Sequence, residues 1–291
     1  MKLKLSILFL CLLSVEMLFS QKTISIPDSL IQAFSLSDEI KETSGLIYWN
    51  DLLWTHNDDN ENTIYGVNPT SGKTEQKITI QQLKVNDWEE IQHDKNYLYI
   101  GDFGNNYKGN RTNLRVFKKS KTANQLDTIS FQYPEQIDFS VQKANRTNFD
   151  CEAFLVTDSM IYLFTKEWSS LKTTLYKIPN KEGIHTAQKI SSFNSNGLIT
   201  GATFNPEKKS IILTGYSKTL SPFIYVLSNF RKDDFFNGKQ ERLKINKRFL
   251  QIESVAFLNS TKIAITNEQF NHSLIKSPQQ LFIIDLSSYL K

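Results

Sequence analysis

The sequence has very little cysteine. Of its two cysteines, Cys11 lies in the N-terminal apolar stretch, so the rest of the chain holds one thiol and cannot close an internal disulfide. A chain of 291 residues buries enough apolar surface to do without one. Cys151 stands between Asp150 and Glu152 in an apolar run, with no neighbour placed to draw out a thiolate. It reads as a small buried hydrophobe rather than a nucleophile.

A second long hydrophobic run is also missing. The one that exists occupies the first twenty residues, where Lys2 and Lys4 precede the apolar stretch Leu5 to Leu13, and Leu18-Phe19-Ser20 offers a cleavage site ahead of Gln21. That is the layout of a secretory signal peptide. Ser14 and Glu16 interrupt it well short of the ~20 apolar residues of a spanning helix, and Cys11 lacks the small residues that precede a lipidated cysteine. The expectation is a signal peptide over 1–20 and a single domain over 21–291. The protein is then exported to the periplasm or the extracellular space, not membrane-spanning, and a monomer.

Concentrated positive charge is absent too. The 34 basic and 30 acidic residues are interleaved, apart from small clusters at Lys118 to Lys121 and Lys244 to Arg248. Nucleic-acid binding calls for a basic stripe, so no nucleic-acid partner is expected. Nor does a ready-made catalytic motif occur: there is no GxSxG elbow, phosphate loop or HExxH. His56, His93, His185 and His272 show no metal-ligand spacing.

What the chain does have is repetition. Five segments share one pattern: TSGLIYWNDLLWTHND from Thr43, WEEIQHDKNYLYIGDF from Trp88, CEAFLVTDSMIYLFTKE from Cys151, TGATFNPEKKSIILTGYS from Thr200 and ESVAFLNSTKIAITNEQ from Glu253. Each is an apolar run, a polar turn, a second apolar run and a polar cluster, which is a strand hairpin. Further strands follow most copies, such as Thr63 to Val67 and Gln76 to Ile80 after the first. Four-stranded antiparallel units repeated around an axis make an all-β five-bladed β-propeller. A six-bladed ring is the alternative, its extra blade having only the long gap between the second and third copies to occupy. The fifth unit lacks a fourth strand, and the alternating residues before Glu42 belong to no hairpin. Pairing the N-terminal strand into the last blade removes both unpaired edges. Three connections exceed what turns need: Asn105 to Asn113, Tyr133 to Phe149, and Asn229 to Gly238, the last a long exposed connection or a short helix. Trp49, Trp54 and Trp88 read as packing between blades.

First strands of blades line the axis. The repeated position inside them holds Ser44, Glu89, Glu152, Gly201 and Glu253, with Asp87, Glu90 and Asp150 beside it. Three carboxylates at one level around a narrow axis need compensation. A bound cation supplies it, and an all-oxygen set suits calcium; alternatively the glutamates cap backbone amides or face solvent. Second-strand ends add Asn57, Asp58, Asp102, Asn105, Asn267 and Glu268 near the same mouth, and Gly101 and Gly104 allow close backbone approach. Lys166, at the same place in the third unit, can pair with the glutamates instead. His56 and Glu90 are the candidates for proton transfer, and a hydrogen-bonded structural histidine is the other reading of His56. Arg111 and Arg146 recur in the tetrapeptide Asn-Arg-Thr-Asn, to bind an anionic group or to clamp a loop.

The motifs Asp87-Trp88-Glu89-Glu90-Ile91, Gly101-Asp102-Phe103-Gly104-Asn105-Asn106, Asp150-Cys151-Glu152-Ala153-Phe154 and Ile199-Thr200-Gly201-Ala202 resemble those of an exported bacterial β-propeller family of unassigned function. The layout is more distantly similar to calcium-dependent propellers: the regucalcin/gluconolactonase and paraoxonase-like hydrolases, the SdiA-regulated proteins and the calcium-activated nucleotidases. That likeness implies calcium ligated by Glu89, Glu152, Glu253 and Asn267. The chain departs from the lactonases in lacking a histidine pair and in having fewer blades, so their activity does not carry over. Two functions remain open. One is a calcium-dependent hydrolase of an ester, lactone or phosphate ester, with Asp87, Asp102, Asn105, Arg111, Arg146, Asp150 and Lys166 contacting the ligand. The other is a non-enzymatic propeller that binds a glycan, peptide or envelope partner through its loops.

Overall fold

The structure, a computed structural model, describes residues 23–58, 61–83, 86–272 and 275–290. The leader reading of 1–20 falls outside them. Among the described residues strand is the dominant regular structure, and the one helical turn is Asp28–Leu30. No helix there is long and apolar enough to cross a membrane.

Five sheets stand in a ring. Blade 1 comprises Thr43–Trp49, Leu52–Asn57, Thr63–Val67 and Thr74–Thr79. Blade 2 comprises Trp88–His93, Tyr97–Asp102, Leu114–Ser120 and Leu126–Gln132. Blade 3 comprises Asp150–Val156, Met160–Lys166, Thr173–Pro179 and Gln188–Phe193. Blade 4 comprises Leu198–Asn205, Ser210–Tyr216, Pro222–Ser228 and Lys239–Lys244. Blade 5 takes Ile252–Phe257, Lys262–Asn267 and Gln280–Asp285 from the C-terminal part of the chain and Ile31–Ser35 from the N-terminal part. The inner strands touch in order, and blade 5 returns to blade 1. The five-bladed ring expected from the repeats is the observed architecture.

Burial falls from the axis outwards, as alternation in the sequence requires. Ser210–Tyr216 is buried along its whole length, whereas Thr74–Thr79 has no buried residue. Five apolar seams lie between neighbouring blades. Trp54 and Trp88 fill the seam between blades 1 and 2. Cys151 is buried in the next seam with Phe103 and Phe154, and burial pushes its thiol well up, so it is no nucleophile.

The N-terminal segment closes the ring as expected: Ile31–Ser35 runs antiparallel to Gln280–Asp285, with Ala33 opposite Phe282. Two strand additions go beyond the four-stranded plan. Thr23–Ser25 pairs in parallel with Lys239–Lys244 of blade 4, and Gly183–Thr186 pairs in parallel with the outer strand of blade 2. The connection from Asn229 to Gly238 is neither helical nor wholly exposed. Phe235 and Phe236 turn inward, and Phe236 stacks on Phe193 at 5.2 Å in the seam between blades 3 and 4. The two long loops of blade 2 are stitched together by Gln142 N–H to Lys108 O (2.9 Å) and Asn145 N–H to Asn106 O (2.8 Å).

The clasp carries apolar weight, since Ile26 and Leu36 are buried in the seams on either side of blade 5. Burying two such side chains contributes about 4 kcal/mol. A chain lacking residues 21–36 should therefore melt about 10 °C lower than one starting at Gln21. It should also leave the monomer peak in gel filtration, because the edge of Gln280–Asp285 is bared. An unchanged midpoint with a clean monomer would dismiss the clasp.

Candidate functional site

Each inner strand carries one extra residue at the same level. The pairing jumps between Ser44 and Ile47, Trp88 and Glu90, Cys151 and Ala153, Ile199 and Gly201, and Ile252 and Ser254. A bulge of this kind leaves one residue out of the ladder and re-aims its side chain. The looped-out residues in blades 2, 3 and 5 are Glu89, Glu152 and Glu253. In blade 4 it is Thr200, one residue before the glycine that repeat alignment selects, and in blade 1 the irregularity spans Gly45 and Leu46. The blades without a glutamate close the level with hydroxyls: Thr200 Oγ1 donates to Ile252 O, and Ser44 Oγ donates to Glu89 O (2.7 Å).

The second strands end at this level too. Their last residues are Asn57, Asp102, Lys166, Tyr216 and Asn267, each opposite the first stretch of its inner strand. Tyr216 was overlooked in the sequence because its strand ends Thr-Gly-Tyr without an acid or amide, yet the strand-end rule that selects Lys166 selects it as well.

The geometry gathers three acids. One carboxylate oxygen from each of Glu89, Asp150 and Glu152 lies within 4.8 Å of the others, and all three residues are buried. Burial raises the pKa of Glu89, and Glu152, Asp87 and Asp150 raise it further. Burial likewise raises Glu152 and Asp150, with Lys166 opposing in both. Lys166 Nζ sits 3.0 Å from Glu152 and 3.6 Å from Glu253, its side chain 4% exposed. Burial works to lower its pKa, but Glu152, Glu253 and the neighbouring groups outweigh that and hold it well above the usual ammonium value. Glu268, beside Glu253, is raised by burial first and then by Glu253 and Asp58. Asp87 is pushed up to about 6, mainly by burial and by Asp150. Its side chain is 31% exposed and 3.8 Å from the Arg111 guanidinium.

The other sequence-selected residues divide into supports and neighbours. Asp102 is fully buried and holds Arg111 and Arg115, each at 2.8 Å. Arg111 also donates to Gly104 O (2.6 Å), so it clamps the loop that follows Asp102. Asn105 donates its N–H to Asp150 (2.6 Å) and accepts from Arg111 N–H (2.9 Å). Gly104 permits this packing, since a Cβ there would collide with the Glu89 and Asp87 carboxylates. Gly101 serves a different neighbour, the Phe103 ring. Asn267 commits its amide N–H groups to Glu268 O and Pro278 O, while its Oδ1 has no hydrogen-bond partner. Arg146 is exposed on the loop before Asp150.

Glu90 and His56 lie away from the solvent-accessible mouth, at 0% exposure. Glu90 accepts backbone N–H bonds from Leu46 (3.2 Å), Ile91 (3.0 Å) and Ala202 (3.4 Å), joining blades 1, 2 and 4 across the axis. Burial raises its pKa well above the carboxylate range against those bonds. His56 packs edge-on against Trp88 and is held neutral by burial, its pKa lowered to about 4.

No protein-family model matches the chain, and no curated protein matches it either. Among solved structures, glutaminyl cyclase from Myxococcus xanthus aligns with a TM-score of 0.51 at 10% identity, over 88% of this chain and 96% of that one. A streptogramin B lyase gives 0.43 at 10% identity over 88% and 97%. The WD40 repeats of RRP9 give 0.42 at 8% identity over 84% and 67%. At such identities the likeness is one of β-propeller fold. A shared fold does not fix function, which has to be argued from the site.

Lys166 is the ammonium that touches this acidic cluster, and its loss is testable. Lys166→Met should cost about 3–5 kcal/mol at pH 8, the penalty for stripping buried acids of their counter-charge. The acids of the cluster have raised folded-state pKa values, so their contribution to stability is present at low pH and is lost as pH rises through those values. The deficit of the variant should therefore shrink between pH 8 and pH 5 in urea unfolding. A deficit that is equal at both values would rule the pairing out as the source.

Proposed function

We propose that this exported propeller binds a divalent cation, calcium by preference, through Glu89, Asp150 and Glu152, and uses the site to hydrolyse an ester, lactone or phosphate ester. The observation that carries the reading is the convergence of three buried carboxylates beside the buried Lys166. Oxygens on one calcium at 2.3–2.6 Å can be at most about 5 Å apart, and these three meet that limit. All donors are hard oxygens, which favours calcium or magnesium over zinc or copper. Glu253 Oε2, paired with Lys166 at 3.6 Å, and Asn267 Oδ1 add two buried oxygens that accept no hydrogen bond among the described residues. Glu253 shares Lys166 with Glu152, at 3.6 Å against 3.0 Å, so it serves the cation at second hand, by drawing on part of the lysine's charge.

When bound, calcium would polarise a substrate oxygen and offset charge that builds there. The chain's own groups do the rest. Asp150 is aimed by two donors, Asn105 N–H and the Trp168 indole at 2.8 Å. Asp87 has the partly accessible carboxylate beside Glu89, which makes it the group to take a proton from an attacking water, in preference to the buried Glu90 and His56. Arg111 keeps the Gly104 loop closed around it. The second reading, partner binding without catalysis, is favoured by Tyr107, Ile137 and Val141, which are exposed on the two stitched loops of blade 2.

The test is thermal. Calcium at about 100 times its dissociation constant should stabilise the protein by about 2.7 kcal/mol over EDTA, a rise of several degrees. Glu89→Gln and Glu152→Gln should each abolish the rise, and calcium-dependent hydrolysis should vanish in Asp87→Asn while the rise persists. No rise in the wild-type protein would leave the acids to Lys166 and protons and would end the metal reading.

A further inference from the structure

At the acidic end of the axis lies a cavity of about 570 Å³ bordered by blades 3, 4 and 5, within the range that holds small organic ligands. Its floor consists of residues that tie off the acids. Trp168 gives its indole N–H to Asp150 (2.8 Å), Gln251 donates to Glu268 (3.2 Å), and the Tyr216 ring lies 5.5 Å from Lys166 Nζ. A ligand here therefore rests on the same side chains that orient the acidic cluster.

The charged residues lining the cavity are Arg146 and Lys218, and no acid lines it. Neither side chain has a hydrogen-bond or ion-pair partner among the described residues. Both stand on turns that are held in place. The Arg146 turn is bonded to the end of blade 3 by Ser169 Oγ to Arg146 O (2.6 Å), Trp168 N–H to Thr147 O (3.1 Å) and Ser169 N–H to Asn148 Oδ1 (3.1 Å). The Lys218 turn is closed by Ser217 N–H to Ser221 O (3.0 Å) and Leu220 N–H to Ser217 O (2.8 Å). Two uncommitted cations on fixed turns above an aromatic floor form an amphipathic receptor: charge at the rim, ring surface below.

We propose that this cavity binds an organic phosphate, its dianion between Arg146 and Lys218 and its apolar body against Trp168 and Tyr216. Two cations match a dianion better than a monoanion, and the guanidinium can take two phosphate oxygens at once. The cavity's role as a substrate subsite rests on the metal reading above, whereas the binding itself does not. Among the ester classes open to the site, the rim selects phosphate esters over lactones.

The probe is phenylphosphonate, a non-hydrolysable phosphate mimic, titrated calorimetrically into residues 21–291 in EDTA, with benzoate and benzyl alcohol beside it. Phenylphosphonate should bind more tightly than benzoate, and benzyl alcohol weakest of the three. Arg146→Glu and Lys218→Glu, both changes on exposed side chains, should each weaken phenylphosphonate at least tenfold and leave benzyl alcohol unchanged. Absence of phenylphosphonate binding, equal affinity for the alcohol, or indifference to both reversals overturns the proposal. Calcium separates the two readings. Phenylphosphonate binding that needs Arg146 and Lys218 but ignores calcium, in a protein whose melting also ignores calcium, keeps the cavity and removes the metal. A calcium-dependent melting rise without phenylphosphonate binding keeps the metal and removes the cavity.

Discussion

The structure turns on a mismatch of charge: several carboxyl groups are buried around one axis, and among the described residues one lysine is in contact with them. Desolvation raises the cost of every ionised acid at that level. Lys166 relieves it for Glu152, Glu253 and Asp150, and the indole of Trp168 and the amide of Asn105 relieve it further for Asp150. Glu89 forms no ion pair among the described residues and feels Lys166 only at a distance. Much of the surrounding architecture follows from supporting this arrangement. The bulges aim the glutamates, Gly104 makes room for them, and the Asp102–Arg111–Arg115 cluster fixes the loop that covers them. A stability-minded protein would fill such a place with leucine, because replacing buried ion pairs by packed apolar groups is often neutral or favourable. Retaining acids there is a departure of the kind expected at a functional site.

The fold was readable because the hairpin pattern is local and repeats five times. Apolar runs such as Ser210–Tyr216 and half-polar ones such as Thr74–Thr79 report their own distance from the axis. Closure by the N-terminal strand was readable from an accounting of edges, one blade being a strand short. The parallel additions were not. Thr23–Ser25 meets Arg242 to Lys244 across most of the chain, and a three-residue edge strand has no periodicity long enough to mark its partner. The inward turn of Phe235 and Phe236 was hidden for a related reason, since a loop's aromatic residues have no strand register to show which way they face.

The acids of the site were likewise legible as a repeated position, while their division of labour was not. Sequence reading made Glu89 a ligand and its neighbour Glu90 a candidate for proton transfer at the same mouth; the extra residue in the strand instead sends Glu90 to backbone amides across the axis. Asp102, Asn105 and Arg111 stand at the same end, where they act as supports for the loop and for Asp150. Trp168 and Gln251 carried no motif and became visible only through the groups they touch.

The position of Glu90 has a consequence for rigidity. Its carboxyl group reaches from blade 2 to the backbone of blade 4 while accepting from blade 1, so one side chain ties three inner strands together across the axis. Those strands cannot spread at that level without breaking these bonds, and movement at the acidic end is left to the loops and side chains around it.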